Sequence, residues 1–184
     1  EEQLDMRFSS DPVLNDSAEE FTAYDIVNHW SIETIALILR NYADESRAWK
    51  IVQDIEAERL HNPIQTSKQL AELIVKALGM NKKTGIHPAT KTFQALRIAV
   101  NKEIEILDKV LEDVLELLEP GGRIGVISYH SLEDMVTKRT FKQWEEDSIG
   151  QRITKKVLVP TEEEIQKNPR SRSAKFRVFE KFIK

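Results

Sequence analysis

The 184-residue sequence predicts an α/β protein, and three features of its pattern indicate this class. Helical periodicity runs from residue 21 to about residue 78. A longer helical pattern follows and ends at Pro120-Gly121-Gly122. A nearly continuous apolar strand at residues 123–128 then opens an alternation of helices and strands. The second half of the chain therefore looks like the C-terminal half of a doubly wound domain, preceded by an all-helical first half.

In the first half, a short apolar helix is predicted at residues 35–39 and a second at 45–60. Thr66 lies three residues before Gln69, which is the spacing of a capping box, and Gly79 is the expected C-cap of that helix. Pro88 suits the first position of a further helix. Its apolar positions continue to residue 118, a length of about 45 Å, which predicts that this helix bridges two domains.

In the second half, three strands alternate with helices. The predicted elements are a strand at 123–128, a helix at 132–144, a strand at 153–159, a short helix with a Thr161–Glu164 capping box, and a strand at 174–183. In the last strand, Phe176 and Val178 lie on one face, and Arg177 and Phe179 lie on the other. Three strands make a thin sheet, and the apolar first strand predicts cover on both faces or neighbours on both sides.

Composition limits the classes of function. The chain is 40% hydrophobic and 32% charged, and no apolar run approaches the ~18 residues of a membrane span. It begins at Glu1 without a signal peptide, which indicates a processed, truncated or partly represented protein. The lack of cysteine excludes thiol catalysis and fits a reducing compartment such as the cytoplasm. Residues 151–184 carry +6 within a net charge of −4, which favours an anionic partner. Lysines at the edges of an ordinary solvated strand pair are the alternative.

Candidate site residues follow the first predicted strand. His130 comes directly after its carboxyl end, where ligands bind in open α/β sheets. Ser131, Glu133 and Asp134 are next to it. The alternative is structural: Ser131 would cap the following helix, and the two carboxylates would fill its first turn.

Two further polar segments are candidates for binding an anion. Residues 168–175 form a predicted loop in which arginine and serine side chains suit phosphate oxygens, although it could be an ordinary solvated loop. At the start of the long helix, His87 and Thr90 lie at an N-terminus that favours anions. Polar residues recur there at helical spacing: Lys91, Gln94, Arg97 and Asn101. This face suits a nucleic acid backbone or a neighbouring catalytic domain. No glycine-rich phosphate loop and no cluster with metal-ligand spacing is present in the sequence, so no metal is predicted.

Five strings together resemble the MraW/RsmH family. They are Leu4-Asp5-Met6-Arg7, residues 87–101, Pro120-Gly121-Gly122-Arg123, residues 130–134 and residues 168–175. The resemblance covers essentially the whole chain. Met135 stands where the family usually has arginine, and Tyr129 where it often has phenylalanine. The family segment before Asp5, which carries the glycine-rich cofactor loop, is not in this sequence.

The resemblance implies an S-adenosylmethionine-dependent methyltransferase that modifies N4 of a cytidine in small-subunit ribosomal RNA. It implies the C-terminal half of a class I, Rossmann-like sheet plus an all-helical insertion domain. Residues 1–16 would be a connector, 17–90 the substrate-recognition insertion and 91–184 the returning catalytic half. Without the cofactor loop, this chain alone is expected to be inactive.

The resemblance also implies roles for individual residues. His130, Ser131 and Asp134 would line the substrate pocket, and Asp5 and Arg7 would lie at the edge of the cofactor pocket. The residues expected to hold RNA are His87, Lys91, Arg97, Arg170, Arg172 and Lys175. The partner would be small-subunit rRNA or the assembled subunit, with no membrane, in the cytoplasm, and the protein is expected as a dimer. A non-catalytic RNA-binding or ribosome-assembly module is the alternative, and a helical protein-interaction domain is a third hypothesis.

Overall fold

The computed structural model describes residues 2–8, 21–80 and 86–183, and the chain divides into two compact units. The first unit is Glu1–Lys102 and the second is Glu103–Lys184. The connector expected at residues 1–16 lies largely outside the described residues. The predicted mixture of helices and strands is confirmed, and among the described residues the strands of the sheet lie in the second unit.

The first unit is helical in its described residues. Its helices are α1 (Ala23–His29), α2 (Ile32–Ala43), α3 (Ala48–Arg59), α4 (Ser67–Leu78) and α5 (Thr90–Val100). The predicted capping box of Thr66 and Gln69 is present, and Gly79, with a φ of 72°, ends α4. A second capping box, between Thr22 and Asp25, begins α1. Side-chain caps therefore determine where several of these helices start.

Aliphatic side chains fill the core of the first unit. Helix α2 packs on both α3 and α5, and fully buried residues include Ile26, Ile35, Leu39, Ile51, Ile55 and Leu96. The N-terminal segment belongs to this core, since Leu4 is only 1% exposed. The Leu4 N–H donates to the Gln65 carbonyl at 3.0 Å, and the Tyr24 N–H donates to the Leu4 carbonyl at 2.7 Å. Residues 2–5 are thus held between α1 and the start of α4.

The single long helix predicted from Pro88 to residue 118 is wrong in two respects. A turn, in which the Thr90 N–H donates to the His87 carbonyl, comes first, so that α5 begins at Thr90. The helix then breaks at Asn101, and Lys102 adopts a φ of 48°. Helix α6 (Glu103–Leu117) starts directly afterwards. Because a left-handed residue interrupts the i→i−4 ladder, the apolar periodicity continues across the break while the helix does not.

The second unit contains a three-stranded sheet and the remaining helices. In chain order after α6 they are β1 (Arg123–Ser128), α7 (Ser131–Glu146), β2 (Gly150–Arg152), α8 (Glu162–Lys167), a 3₁₀ helix (Pro169–Ser173) and β3 (Lys175–Lys181). The strand order is β1-β3-β2, and both pairings are antiparallel. Strand β3, the last in the chain, therefore lies in the middle. Thr161 caps α8 by accepting the Glu164 N–H, but the return bond from the Glu164 side chain that the predicted capping box requires is not formed.

The second predicted strand is misplaced. Its ladder residues are Gly150–Arg152, whereas 153–159 contribute only an isolated bridge between Leu158 and Phe176. The N–H groups of Ile153 and Thr154 both donate to the Val178 carbonyl, so the backbone leaves the regular ladder there. The alternating character of 153–159 is real, but it does not specify which residues pair.

An aromatic cluster forms the core of the second unit. Phe141, Trp144 and Phe179 have ring centroids 5.2–5.5 Å apart, and Leu111 and Ile124 complete the cluster. These contacts bury one face of β3 against α7, and Leu111 of α6 belongs to the same cluster. Among the described residues, no helix has the length and apolar character needed to cross a bilayer.

Candidate functional site

The residues directly after β1 begin α7, and His130 rather than Ser131 is the N-cap. The His130 backbone is extended, and its Nδ1 accepts a hydrogen bond from the Glu133 N–H at 3.4 Å. Ser131, the expected cap, is instead the first helical residue and is exposed. Capping therefore fixes the imidazole at the carboxyl end of the strand, where the sequence predicts a site.

Glu133 returns the capping interaction and is tightly held. Its Oε2 accepts the Tyr129 N–H at 2.9 Å and the His130 N–H at 3.4 Å. Its Oε1 lies 3.2 Å from Nε2 of His130. Burial raises the pKa of Glu133, but the His130 ring and these backbone N–H groups outweigh it and hold the pKa below its ordinary value. Glu133 is thus a carboxylate at neutral pH.

The His130 ring also lies close to Glu103, at the start of α6. Three possible metal-ligand atoms lie within 4.8 Å of one another here, one each from Glu103, His130 and Glu133. This spacing is close enough to surround a metal ion. Sequence spacing could not reveal this cluster because Glu103 is 27 positions before His130. Because Nδ1 accepts a hydrogen bond from the Glu133 N–H, the imidazole tautomer that fits this geometry carries its hydrogen on Nε2.

The Nε2 group of His130 is buried, and among the described residues it has no well-aligned hydrogen-bond partner. The distance to Glu133 Oε1 is short, but its direction is poor. The side chain as a whole is 13% exposed. This N–H is therefore a donor held beside two carboxylates at the end of β1.

Asp134 is paired with a buried arginine, Arg177, which is not among the predicted site residues. Arg177 Nε lies 2.7 Å from Asp134 Oδ1, and Arg177 Nη2 lies 3.2 Å from Oδ2. Lys175 Nζ is 3.6 Å from Oδ2. Burial raises the pKa of Asp134, but the hydrogen bonds and charge of Arg177, with Lys175, outweigh it and lower the pKa. The available signal was the position of Arg177 on the same strand face as Phe179, where a charge needs a partner.

The basic segment before β3 is a 3₁₀ helix rather than a loop. Ser171 is buried, and its hydroxyl donates to the Asn168 carbonyl at 2.8 Å. Arg170 and Arg172 are exposed, and neither takes part in an ion pair with another described residue. Lys175 is partly committed to Asp134. The two arginines are therefore the cations of this segment that are most accessible to solvent.

Asp5 and Arg7 form a bidentate ion pair in the first unit. Arg7 Nε donates to Asp5 Oδ1 at 2.7 Å, and Arg7 Nη2 donates to Oδ2 at 2.8 Å. The hydrogen bond from the Arg7 side chain is the main cause that lowers the pKa of Asp5. Between them Met6 has a φ of 68°, a conformation that is uncommon in residues other than glycine. Asp5 also lines a cleft of about 570 Å³ with Thr22, Tyr24 and Gln65.

The other predicted RNA contacts also lie in the first unit. His87 is exposed, and its Nδ1 accepts the Ala89 N–H at 3.2 Å. The exposed Lys91 donates from Nζ to the Asp44 carbonyl at 2.7 Å. Arg97 is half-buried. His87, Lys91 and Arg97 thus share a unit with Asp5, whereas Arg170, Arg172 and Lys175 share a unit with His130.

A family model and similar relatives found for this chain indicate the same family. The model of the MraW methylase family matches residues 1–182. The chain is 48% identical over 180 residues to the ribosomal RNA small subunit methyltransferase H of Coprothermobacter proteolyticus, covering 98% of this chain and 57% of that protein. Proteins of the same name from Sulfurihydrogenibium sp. and Thermomicrobium roseum are 42% and 44% identical, with 97% of this chain covered in both cases. The chain spans 59% and 57% of their lengths.

Proposed function

Because the chain belongs to the MraW methylase family, we propose that it is the C-terminal part of an S-adenosylmethionine-dependent methyltransferase acting on N4 of a cytidine in small-subunit rRNA. The observation that carries this proposal is the family match over residues 1–182, which includes the capped His130 and the basic segment before β3. The names of the relatives support small-subunit rRNA as the substrate. The same proposal places the protein in the cytoplasm, as a dimer.

The sheet supports a catalytic domain that extends beyond this chain. Within the described residues, β1 pairs on one side only, with β3. Its outer face carries exposed Ile127, next to partly exposed Phe176 on β3. The chain also spans only 57–59% of the three relatives. We therefore place the remaining strands of a Rossmann-like sheet beyond the free edge of β1. Residues 17–90 would be the helical insertion and 91–184 the returning half.

The cofactor would be held mainly by the part of the protein outside this chain. A nucleoside cofactor in such a sheet needs a glycine-rich turn after a strand and a nearby carboxylate for its ribose. Here Gly121 and Gly122 precede β1 instead of following a strand. Asp5 and Arg7 would contribute the edge of the pocket. When bound, S-adenosylmethionine supplies an electrophilic methyl group.

The residues after β1 would bind and orient the target base. The exocyclic amine of cytosine is a weak nucleophile, so the site must hold it in line for transfer and accept its hydrogen bond. The Glu133 carboxylate, beside the buried Nε2 of His130, is an acceptor, and exposed Ser131 offers a hydroxyl at the start of α7. Asp134 would act mainly through Arg177, which engages both of its oxygens. The base must leave its stack to reach these groups.

RNA binding would rely on arginines free of internal ion pairs. Arg170 and Arg172 meet this condition among described residues, and guanidinium groups match phosphate geometry. His87, Lys91, Arg97 and Lys175 would add to the phosphate contacts. The alternative is a non-catalytic RNA-binding or ribosome-assembly module, and among the described residues no glycine-rich loop follows a strand.

The test uses the full-length protein that contains this chain. We expect transfer of a labelled methyl group from S-adenosylmethionine to cytidine N4 in small subunits or their rRNA, and no transfer by the 184-residue chain alone. Full-length protein that binds this RNA but transfers no methyl group would favour the non-catalytic alternative. Tight binding of S-adenosylmethionine by the 184-residue chain alone, measured by calorimetry, would contradict the division of the cofactor site.

A charge-reversal experiment tests the RNA contacts. Arg172→Glu should weaken RNA binding. It should also make the plot of the logarithm of the association constant against the logarithm of the salt concentration less steep, by about 0.7. Lys142→Glu is the matched control, because Lys142 is also exposed but is ion-paired with Glu146 at 2.8 Å. Equal effects of the two variants would show that Arg172 makes no phosphate contact.

A further inference from the structure

Asn101, at the end of α5, ties the Asp5–Arg7 turn to the first unit. Its side-chain Nδ2 donates to the Met6 carbonyl at 2.9 Å, and its Oδ1 accepts the Phe8 N–H at 2.8 Å. The same Nδ2 donates to the Arg97 carbonyl, one turn back in the helix, at 2.8 Å. The amide thus pairs with the backbone of residues 6–8 much as a neighbouring strand would.

These bonds lie on both sides of Arg7, directly after the strained residue of the turn. Met6 is in the left-handed region, with a φ of 68°. Asn101 binds the carbonyl of Met6 itself and the N–H of the second residue after it. The turn contains the bidentate ion pair of Asp5 and Arg7. Oδ1 of Asp5 also accepts the Arg7 N–H at 3.2 Å. Holding the backbone on both sides of Arg7 therefore fixes the orientation of the Arg7 side chain in this ion pair.

We propose that Asn101 is a positioning residue for methyl transfer: it holds the Asp5-Met6-Arg7 turn so that the ion pair keeps its place at the edge of the cofactor pocket. This inference rests on the proposed function of the full-length protein. Asn101 acts through the turn and touches neither cofactor nor substrate. Asparagine is required because the geometry uses one amide as donor and acceptor at once. Aspartate retains the acceptor for Phe8 but repels the carbonyls of Met6 and Arg97.

The chain contains a matched control for this role. Asn28 in α1 makes the same set of bonds: its Nδ2 donates to the Tyr24 carbonyl, one turn back, and to the Ile64 carbonyl, both at 3.0 Å. Its Oδ1 accepts the Ile64 N–H at 2.8 Å. Asn28→Ala therefore removes an equal number of hydrogen bonds from the same unit without touching the Asp5–Arg7 turn. A merely structural role of Asn101 would give both variants the same phenotype.

The experiment compares Asn101→Ala, Asn101→Asp and Asn28→Ala in the full-length protein. All three should lower the Tm. Both Asn101 variants should lower kcat/KM by about tenfold or more, largely through a higher KM for S-adenosylmethionine, since displacing a site by about 1 Å can cost a hundredfold. Asn28→Ala should stay within about twofold of wild type.

The outcomes separate this inference from the proposed function. If the wild-type protein is active and Asn101→Ala and Asn28→Ala have the same kinetic constants as each other, the positioning role alone is overturned. A wild-type protein without methyltransferase activity would overturn the proposed function, and the positioning role with it. Hydrogen exchange adds a direct readout: the Phe8 amide should lose protection in Asn101→Ala and retain it in Asn28→Ala. Unchanged protection in Asn101→Ala would also contradict the inference.

Discussion

The ion pair between Asp134 and Arg177 should be the most costly polar contact to break in the second unit. The side chains of Arg177 and Asp134 are only 8% and 13% exposed. Asp134→Ala leaves the guanidinium covered by protein without its carboxylate. Removal of one member of a buried pair costs about 3–5 kcal/mol, and we expect about 3 kcal/mol here, because part of the pair still reaches water.

The two single substitutions should differ. Arg177→Met leaves Asp134 beside Lys175, whose Nζ is 3.6 Å away, so that the carboxylate keeps a cation. It should therefore cost less than Asp134→Ala. The double variant Asp134→Ala/Arg177→Met removes both charges and retains an unbranched apolar side chain over the sheet. Since apolar replacements of buried pairs are often neutral, the double variant should be more stable than Asp134→Ala.

Urea unfolding followed by the fluorescence of Trp144 measures these differences. Trp144 lies in the aromatic core of the second unit, and the other two tryptophans, Trp30 and Trp49, are replaced by phenylalanine in all variants. With an m value of about 1–2 kcal/mol/M, a loss of about 3 kcal/mol lowers the midpoint by about 2 M.

Two results would refute this reasoning. The first is a cost below about 1 kcal/mol for Asp134→Ala, which is the value of an exposed ion pair. The second is a double variant no more stable than Asp134→Ala, which would mean that the carboxylate stabilises the unit by some means other than pairing with Arg177. Loss of activity at normal stability would instead support a direct role of Asp134 in the substrate pocket.

Two other substitutions test the second unit. Gly150→Ala should cost about 1–3 kcal/mol, measured by urea unfolding, because an added Cβ would overlap the Glu180 carbonyl oxygen; a midpoint like that of the exposed neighbour Gln151→Ala would contradict this. Glu133→Gln should make the stability depend less on pH in the acidic range. The pKa of Glu133 is lowered in the folded state, so its carboxylate stabilises the fold above the ordinary pKa of 4.5, and this stabilisation is lost as the pH falls through the folded pKa. The urea midpoints of wild type and Glu133→Gln should therefore differ more at pH 7 than at pH 3, and a constant difference would show that the charge of Glu133 is not involved.

Features specified by nearby residues could be predicted from the sequence. The capping box at Thr66 and the C-cap at Gly79 need only a few adjacent side chains, and both are confirmed. The strand after Gly122 and the following helix are set by a local change of periodicity, and they are also confirmed in type. These signals lie within one or two turns of the chain, so tertiary contacts do not override them.

Features that depend on distant residues could not be predicted. The helix break at Asn101 is stabilised by Met6 and Phe8, 95 and 93 positions away. His130 rather than Ser131 is the N-cap of α7, because its Nδ1 accepts the Glu133 N–H. Histidine is not among the residues that usually cap helices, so the sequence did not indicate this. Arg177 was recognisable only as a charge on an apolar face, since its partner is 43 positions earlier. The predicted site residues remain predictions, but their surroundings are now defined.

Among the described residues β1 pairs on one side only, and this has a consequence for handling the isolated chain. Its second edge offers a row of backbone donors and acceptors flanked by Ile124, Val126 and Ile127, with arginine only at its first position. Such an edge is a template for any other extended segment, including a second copy of itself. The 184-residue polypeptide should therefore oligomerise as its concentration rises, and its measured stability should depend on protein concentration.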